Sequence, residues 1–301
     1  DGIKRIVHAE REVILAGGVI NTPQVLMLSG IGPEAHLREQ GIAIRQTLPG
    51  VGQNMQDHLQ LRLMFKVKKP ITTNDDLQSN WRKFEMGWKW ITRRAGPLAI
   101  GINHGGMFTR VLPESATPDI QFHFATLSAE MAGAPTHPWS GCTFSVCQLR
   151  PESRGEIRLK STDPLLPPAM HSNYLSRETD IRCAIASVRF ARKLARTQAL
   201  QSLIGEEYRP GDSAESDDEV LAFARQYGAT IFHPSGTCKM APADDPMGVV
   251  DTRLRVRGVA GLRVIDCSIM PMLVSGNTNA PVVMIAEKAA DMIKADNLHA
   301  L

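Results

Sequence analysis

Aromatic residues are scarce, at 5% of the 301 residues, and no stretch approaches the ~18 successive apolar residues that a membrane-crossing helix needs. A helical span is excluded on length. Charge of one sign is also missing: 34 Lys and Arg stand against 31 Asp and Glu, a net +3 with the basic positions scattered. That balance argues against a nucleic-acid partner. The five cysteines (Cys142, Cys147, Cys183, Cys238, Cys267) are odd in number, with no Cys-x-x-Cys and no Cys/His spacing of the zinc kind. Neither a disulfide framework nor a metal site is expected, and the thiols should be free, mostly buried and in a reducing compartment. No charged-then-apolar leader opens the sequence. Asp1-Gly-Ile-Lys-Arg-Ile-Val7 reads instead as a turn entering a strand, which suggests a piece of a longer chain.

What is present suits a soluble globular protein. The length allows roughly two domains of about 150 residues. Lys4 to Leu15 ends in Val13-Ile-Leu15 followed by Ala16-Gly17-Gly18, a buried strand stopping where backbone must approach something closely. Asn21-Thr22-Pro23 predicts a cap and first turn for a helix Pro23 to Leu28, closed by Gly30, and Pro33 to Gln40 predicts another. Gly30-Ile-Gly32-Pro-Glu-Ala35 loosely matches a dinucleotide fingerprint, but a helix precedes it and no ribose-binding acid follows at the right distance. It is read as two helix boundaries.

Pro49 to His58 is a turn-rich linker, and Leu61 to Val67 alternates like a strand. Residues 77 to 95 carry Trp81, Trp88 and Trp90 on a helical pattern, where tryptophan belongs more often to a core than to a ligand cage. Strand-like runs around Gly105, Ile120 and Cys142 predict an antiparallel sheet. Thr179 to Arg196 is an amphipathic helix, and Ser216-Asp-Asp-Glu219 predicts a capping box ahead of a helix through Gln226.

The densest stretch comes late: His233-Pro-Ser-Gly-Thr-Cys-Lys-Met240, Gly261-Leu-Arg-Val-Ile-Asp266-Cys-Ser-Ile-Met-Pro271, and Gly276-Asn277-Thr-Asn279-Ala-Pro281 opening an apolar helix. With Leu15-Ala-Gly-Gly-Val-Ile-Asn21-Thr-Pro-Gln-Val-Leu-Met-Leu-Ser-Gly-Ile-Gly32, these blocks resemble the signatures of the glucose-methanol-choline (GMC) family of FAD-dependent alcohol oxidoreductases. The resemblance implies an α/β fold. Residues 1–58 would be part of a Rossmann-like FAD-binding domain, 59–228 a substrate-binding domain with an antiparallel sheet flanked by helices, and 229–301 the remainder of the FAD domain with the active site.

It further implies FAD as cofactor and a small alcohol as substrate, oxidised to an aldehyde by hydride transfer to flavin N5. His233 would be the base and Asn277 the group that fixes the oxygen, with Asn279 as the alternative should the register slip by a gap. An imidazole titrates near pH 6.5 and can accept a proton at neutrality; on the residues alone, His233 could equally be structural and Asn277 a helix cap. Ala16 and Gly17, with Asp266 and Cys267, would contact the cofactor by carry-over from the family. Asp266 ends a strand Leu262 to Ile265, the usual place for a ligand contact in an open α/β sheet. Asn279 and Pro281 would lie where the dipole of the following helix offers positive potential to the flavin. Asp251 is read as a turn residue.

The sequence departs from the family in three respects, the first being Ala241-Pro242 where the family usually continues Cys-Lys-Met with glycine. Choline-type members carry a carboxylate ahead of a Gly-Phe pair, where this chain has Asn103-His104-Gly-Gly-Met-Phe108. Choline remains the alternative substrate, with Trp88, Trp90 or Trp139 as its aromatic contacts. No strand with Gly-x-Gly-x-x-Gly is present to hold a pyrophosphate, so the resemblance covers the latter part of a family member, and an inactive fragment unable to hold FAD alone is a further alternative. The electron acceptor is open. A cytoplasmic location is expected, or a membrane periphery if the acceptor is a quinone.

Overall fold

Thr22 and Asp266, far apart in the sequence, meet in the structure, and the first folding unit is built around that meeting. A computed structural model describes residues 5–131, 133–211 and 214–298. In chain order its elements are β1 (Val13–Leu15), α1 (Gly18–Leu28), β2 (Ile31–Gly32), α2 (Glu34–Glu39), β3 (Gln46–Thr47), β4 (Leu59–Val67), α3 (Thr73–Gln78) and α4 (Asn80–Arg93). They continue with β5 (Asn103–Thr109), β6 (Ile120–Ala125), β7 (Gly141–Gln148), β8 (Glu156–Arg158), β9 (Ala169–His171), α5 (Glu178–Ala195) and α6 (Gln198–Gln201). The last are β10 (Ile204–Arg209), α7 (Asp217–Tyr227), β11 (Ala229–Thr230), β12 (Leu262–Val264) and α8 (Asn279–Leu298).

The chain divides into two units: 1–57 with 153–176 and 232–301, and 58–152 with 177–231. The expected boundaries differ chiefly in that residues 153–176 fall in the first unit and not with the substrate-domain span, with smaller shifts at 58 and 229–231, which fall in the second. The reason is hydrogen bonding: β8 and β9 pair with each other, Gly155 bridges Met55, and the Ile157 amide donates to the Gly52 carbonyl at 2.7 Å.

In the first unit β1 and β12 run parallel, with Val13 opposite Leu262 and Leu15 opposite Val264. The strand is shorter than expected and more open, because Val13 and Ile14 are exposed; Lys4 lies outside the described residues. The core beneath it gathers Leu26, Met27, Val51, Ile157, Val249 and Val264. Arg263 is buried there, yet it is paired with Glu12 at 2.6 Å and Asp296 at 2.6 Å, so its charge is compensated on both sides. Gly30 precedes β2 and Gly32 is its second residue, opposite Thr47 in the parallel pair with β3; the suspected fingerprint thus spans the end of α1 and the start of α2.

Helix α1 begins at Gly18, five residues ahead of the expected Pro23, which lies inside the helix. Pro23 lies in the second turn, where its missing N–H leaves the Val19 carbonyl without a helical donor, and that carbonyl accepts from the Thr237 hydroxyl at 2.7 Å instead. Asn21 and Thr22 therefore do not cap the helix; Gly17 occupies that position.

The second unit is an antiparallel sheet in the order β10-β4-β7-β6-β5, with β11 also on β4. Phe144 on β7 sits at its centre, with ring centroids 5.1 Å from Phe65, 5.2 Å from Phe122 and 5.5 Å from Phe124. Helix α5 packs on β7 and carries α7 beside it. The capping box of α7 forms as read, Ser216 with Glu219.

Two expectations fail in this unit. The single helix over 77–95 is broken at Ser79, whose extended backbone caps α4 by accepting from the Arg82 amide. Its tryptophans are not core: Trp81 is 72% and Trp88 58% exposed, and the only buried residue of α4 is Met86. The apolar stripe is real, but it faces outward within this unit. The thiols follow expectation, with no disulfide among the described residues and burial pushing Cys142 and Cys183 up to about 12.

Candidate active site

His233 opens the loop that enters the first unit after β11, and its side chain is only 8% exposed. Its position is set by backbone. Ser235 and Gln56 exchange amide–carbonyl bonds at 2.8 and 3.0 Å, the Gly236 amide donates to the Cys267 carbonyl at 3.2 Å, and the Thr237 hydroxyl donates to the Val19 carbonyl at 2.7 Å. The loop is thereby fastened to residues 54–57 on one side and to the end of β12 on the other. Phe232, just before the histidine, has φ of 63°, a region that bulky side chains seldom adopt.

The imidazole Nε2 lies 3.4 Å from the Asn277 carboxamide Nδ2. That amide donates when the ring proton resides on Nδ1, leaving Nε2 the acceptor. Burial lowers the basicity of the ring and the nearby Asp57 carboxylate partly restores it, so His233 titrates below the usual imidazole range and is neutral at pH 7. Asn277 is exposed, two residues ahead of α8. It is not the helix cap: the Thr278 carbonyl takes the first helical bond, from the Val282 amide at 3.0 Å. Asn279 opens α8 and Pro281 lies in its first turn, so the helix starts two residues before the expected proline.

A second group gathers at the end of β12. One oxygen of Asp266 accepts from the Gly18 amide at 2.9 Å and the Thr22 hydroxyl at 2.6 Å, and the other from the Ser268 amide at 2.8 Å. The carboxylate thus joins β12 to the start of α1. Gly18 needs its φ of +77° to present that amide, and no atom crowds the side where a Cβ would stand. Ala16 and Gly17 are exposed beside it, while Cys267 is half-buried and its thiol is pushed up by burial. The two groups connect through the Gly236–Cys267 bond.

These residues fit the redox end of a flavin cofactor: an exposed small-residue turn, the N-terminal end of a long helix, and a neutral imidazole beside a carboxamide. They do not fit its pyrophosphate, because among the described residues no strand leads through a glycine-rich turn into a helix with the required acid.

Sequence reading overlooked residues 54–57. The Asn54 amide donates to the Gly236 and Pro271 carbonyls at 3.1 and 3.3 Å; Gln56 donates to Pro271 at 3.1 Å and accepts from the Leu273 amide at 3.1 Å. Asp57 accepts from the His233 amide at 3.1 Å and from the Tyr174 hydroxyl at 2.5 Å. The signal was available, since Gln53-Asn54-Met-Gln56-Asp57 puts amides and an acid into a turn with no helix to cap. Gly236 sits against this strap at φ of +93°, and a Cβ there would come within 2.8 Å of Asn54 Nδ2 and its carbonyl. Gly236→Ala is expected to lower the stability of the full-length protein by about 2 kcal/mol in urea denaturation; an unchanged midpoint would show that the strap can yield.

Residues 1–60 match the N-terminal family model of the GMC oxidoreductases and residues 151–286 the C-terminal one. The chain is 43% identical over 98% of its length to mitochondrial choline dehydrogenase of Mus musculus and 40% identical over 98% to the oxygen-dependent choline dehydrogenase of a Staphylococcus epidermidis strain. It covers 49% and 51% of those proteins, so it spans about half the length of the curated relatives it matches. Among solved structures, a variant of the formate oxidase of Aspergillus oryzae RIB40 superposes with a TM-score of 0.89 at 29% identity, over 97% of this chain and 56% of that one. A fungal aryl-alcohol oxidase superposes at 0.81 with 26% identity, over 95% and 55%. This chain is a member of the GMC oxidoreductase family.

Proposed function

We propose that the protein carrying this chain oxidises a primary alcohol to an aldehyde, with FAD as the cofactor. The observation that carries the reading is the neutral, buried His233 ring 3.4 Å from the Asn277 carboxamide. FAD, when bound, supplies the two-electron acceptor for the carbinol hydrogen. Ala16, Gly17, Asp266, Cys267, Asn279 and Pro281 would hold it, the first four around the β12–α1 junction and the last two at the mouth of α8. The partial positive charge of that helix start favours an electron-rich ring system, by about 1 kcal/mol in a dry site.

His233 accepts the hydroxyl proton at Nε2. Its burial makes it a weaker base than free imidazole and favours the unprotonated ring at neutral pH, the form the step requires. Asn277 donates from Nδ2 to the same oxygen, so that negative charge developing there meets a fixed dipole. Asp57 and the backbone bonds of the 233–237 loop hold the ring while the proton moves.

Choline is the second reading, favoured by the names of the relatives that match the whole chain. Two of the tryptophans considered for a cation are engaged otherwise within their unit: Trp90 lies under the Arg94 guanidinium at 5.0 Å, and Trp139 stacks on His137 at 4.5 Å. The experiment is anaerobic mixing of the full-length, FAD-loaded enzyme with choline and with neutral primary alcohols. Bleaching of the oxidised flavin absorbance by either class supports the reaction, and the ratio of the two kcat/KM values decides the substrate. Failure of every alcohol to bleach it sinks the proposal.

A further inference from the structure

We propose that Asp57 is a positioning residue for the alcohol oxidation, a buried anion that anchors the His233 backbone and helps set how readily the ring takes a proton. The inference rests on the reading of His233 as the base. Asp57 is 5% exposed, and its oxygens divide their work. Oδ1 accepts from the His233 amide at 3.1 Å, and Oδ2 accepts from the Tyr174 hydroxyl at 2.5 Å. Two segments distant in sequence, at Tyr174 and His233, therefore converge on the carboxylate of a third. A buried anion is tolerated only with such donors.

The anchor matters because the backbone it grips is unfavourable. Phe232 holds φ of 63° immediately before the histidine and is 75% exposed. A bulky residue in the left-handed region is strained and persists only where the surroundings enforce it. The His233–Asp57 bond is one such constraint. The strap supplies the others, through Asn54 and Gln56 to Gly236, Pro271 and Leu273.

The charge matters as well. A carboxylate beside an imidazole favours the protonated ring and so raises its affinity for a proton, against the effect of burial. The groups facing His233 within its unit are Asp57, Tyr174 acting through Asp57, and Asn277; Arg154 reaches the strap at Asn54 Oδ1, 3.2 Å away, and Asp266 lies behind the loop with its oxygens on Gly18, Thr22 and Ser268. Asp57 is thus the anion identified as acting on the ring. The sign follows: without that charge the imidazole becomes a weaker base, and its protonation moves to lower pH. Loss of the Tyr174 hydroxyl does the reverse, because a carboxylate with one fewer donor presents more of its charge to the ring.

The test uses the full-length, FAD-loaded enzyme as Asp57→Asn, Asp57→Glu and Tyr174→Phe. The His233 ring is titrated by NMR with labelled histidine, and kcat/KM is measured against pH. Asp57→Asn is expected to lower kcat/KM about tenfold at pH 7, short of the hundredfold or more for loss of the base itself. Its ring titration and the acid limb of its rate profile should both move to lower pH. Glutamate should restore part of each, and Tyr174→Phe should move both to higher pH. A His233 titration unchanged in Asp57→Asn and in Tyr174→Phe overturns the proposal, even if turnover falls. Should Asp57→Asn not fold, Tyr174→Phe alone decides by the direction of its shift. Failure of the base reading itself is distinguishable, because it would leave turnover intact in His233→Ala whatever the NMR titrations show.

Discussion

Replacing His233 by alanine in the full-length enzyme is expected to lower turnover about 10²–10⁴-fold, the range for loss of a positioned general base. The loss should be chemical and not structural. Within its unit the loop is placed by the backbone bond at residue 233 and by bonds of Ser235, Gly236 and Thr237, which survive the substitution; the Nε2 contact with Asn277 is lost. Alanine leaves a small void at a buried position, which affects stability far less than it affects the proton transfer. Rapid-mixing measurement of flavin reduction isolates the step, and FAD content checks the fold. Turnover within about threefold of the parent would mean that another group takes the proton. Asn277→Ala should cost less, since an exposed carboxamide can be replaced in part by water.

Asp266→Ala is expected to have the largest effect on stability, about 4 kcal/mol, read as a lowered midpoint in urea. The substitution removes three hydrogen bonds to a carboxylate and strands two buried donors, the Thr22 hydroxyl and the Ser268 amide. It also cuts the tie between β12 and the start of α1, where Ala16 and Gly17 stand. FAD affinity should fall with it. Asp266→Asn, which retains one acceptor oxygen, should recover part of the loss. A midpoint within about 1 kcal/mol of the parent would show that the junction is held by packing alone.

Much of this was legible in the sequence because it depends on local chemistry. The capping box at Ser216 and Glu219 is a matter of spacing, and Asp266 at a strand end is a matter of pattern; both appear where expected. The proximity of His233 and Asn277 was suggested by motif, and the 3.4 Å contact brings them together. What could not be read was long-range. Whether Trp81 and Trp88 face a core or open space depends on what lies opposite α4, and a helical stripe looks the same in both cases. Thr22 looked like a cap beside Pro23, but its partner is 244 residues away. Residues 153–176 read as part of the sheet domain because nothing in their pattern reveals that Gly155 and Ile157 bond to Met55 and Gly52. The turn at 54–57 looked like a linker for the same reason, and its amides declare their purpose only once Gly236 and Pro271 are beside them.

The short parallel pair of β1 and β12 has a consequence for handling the protein. Among the described residues β1 has a single ladder partner, and Val13 and Ile14 are 49% and 46% exposed along it. An exposed β-branched strand edge can act as a template for strand-to-strand self-association. Preparations of this chain by itself should therefore be kept dilute, and clumping in them should be traced first to that margin of the molecule.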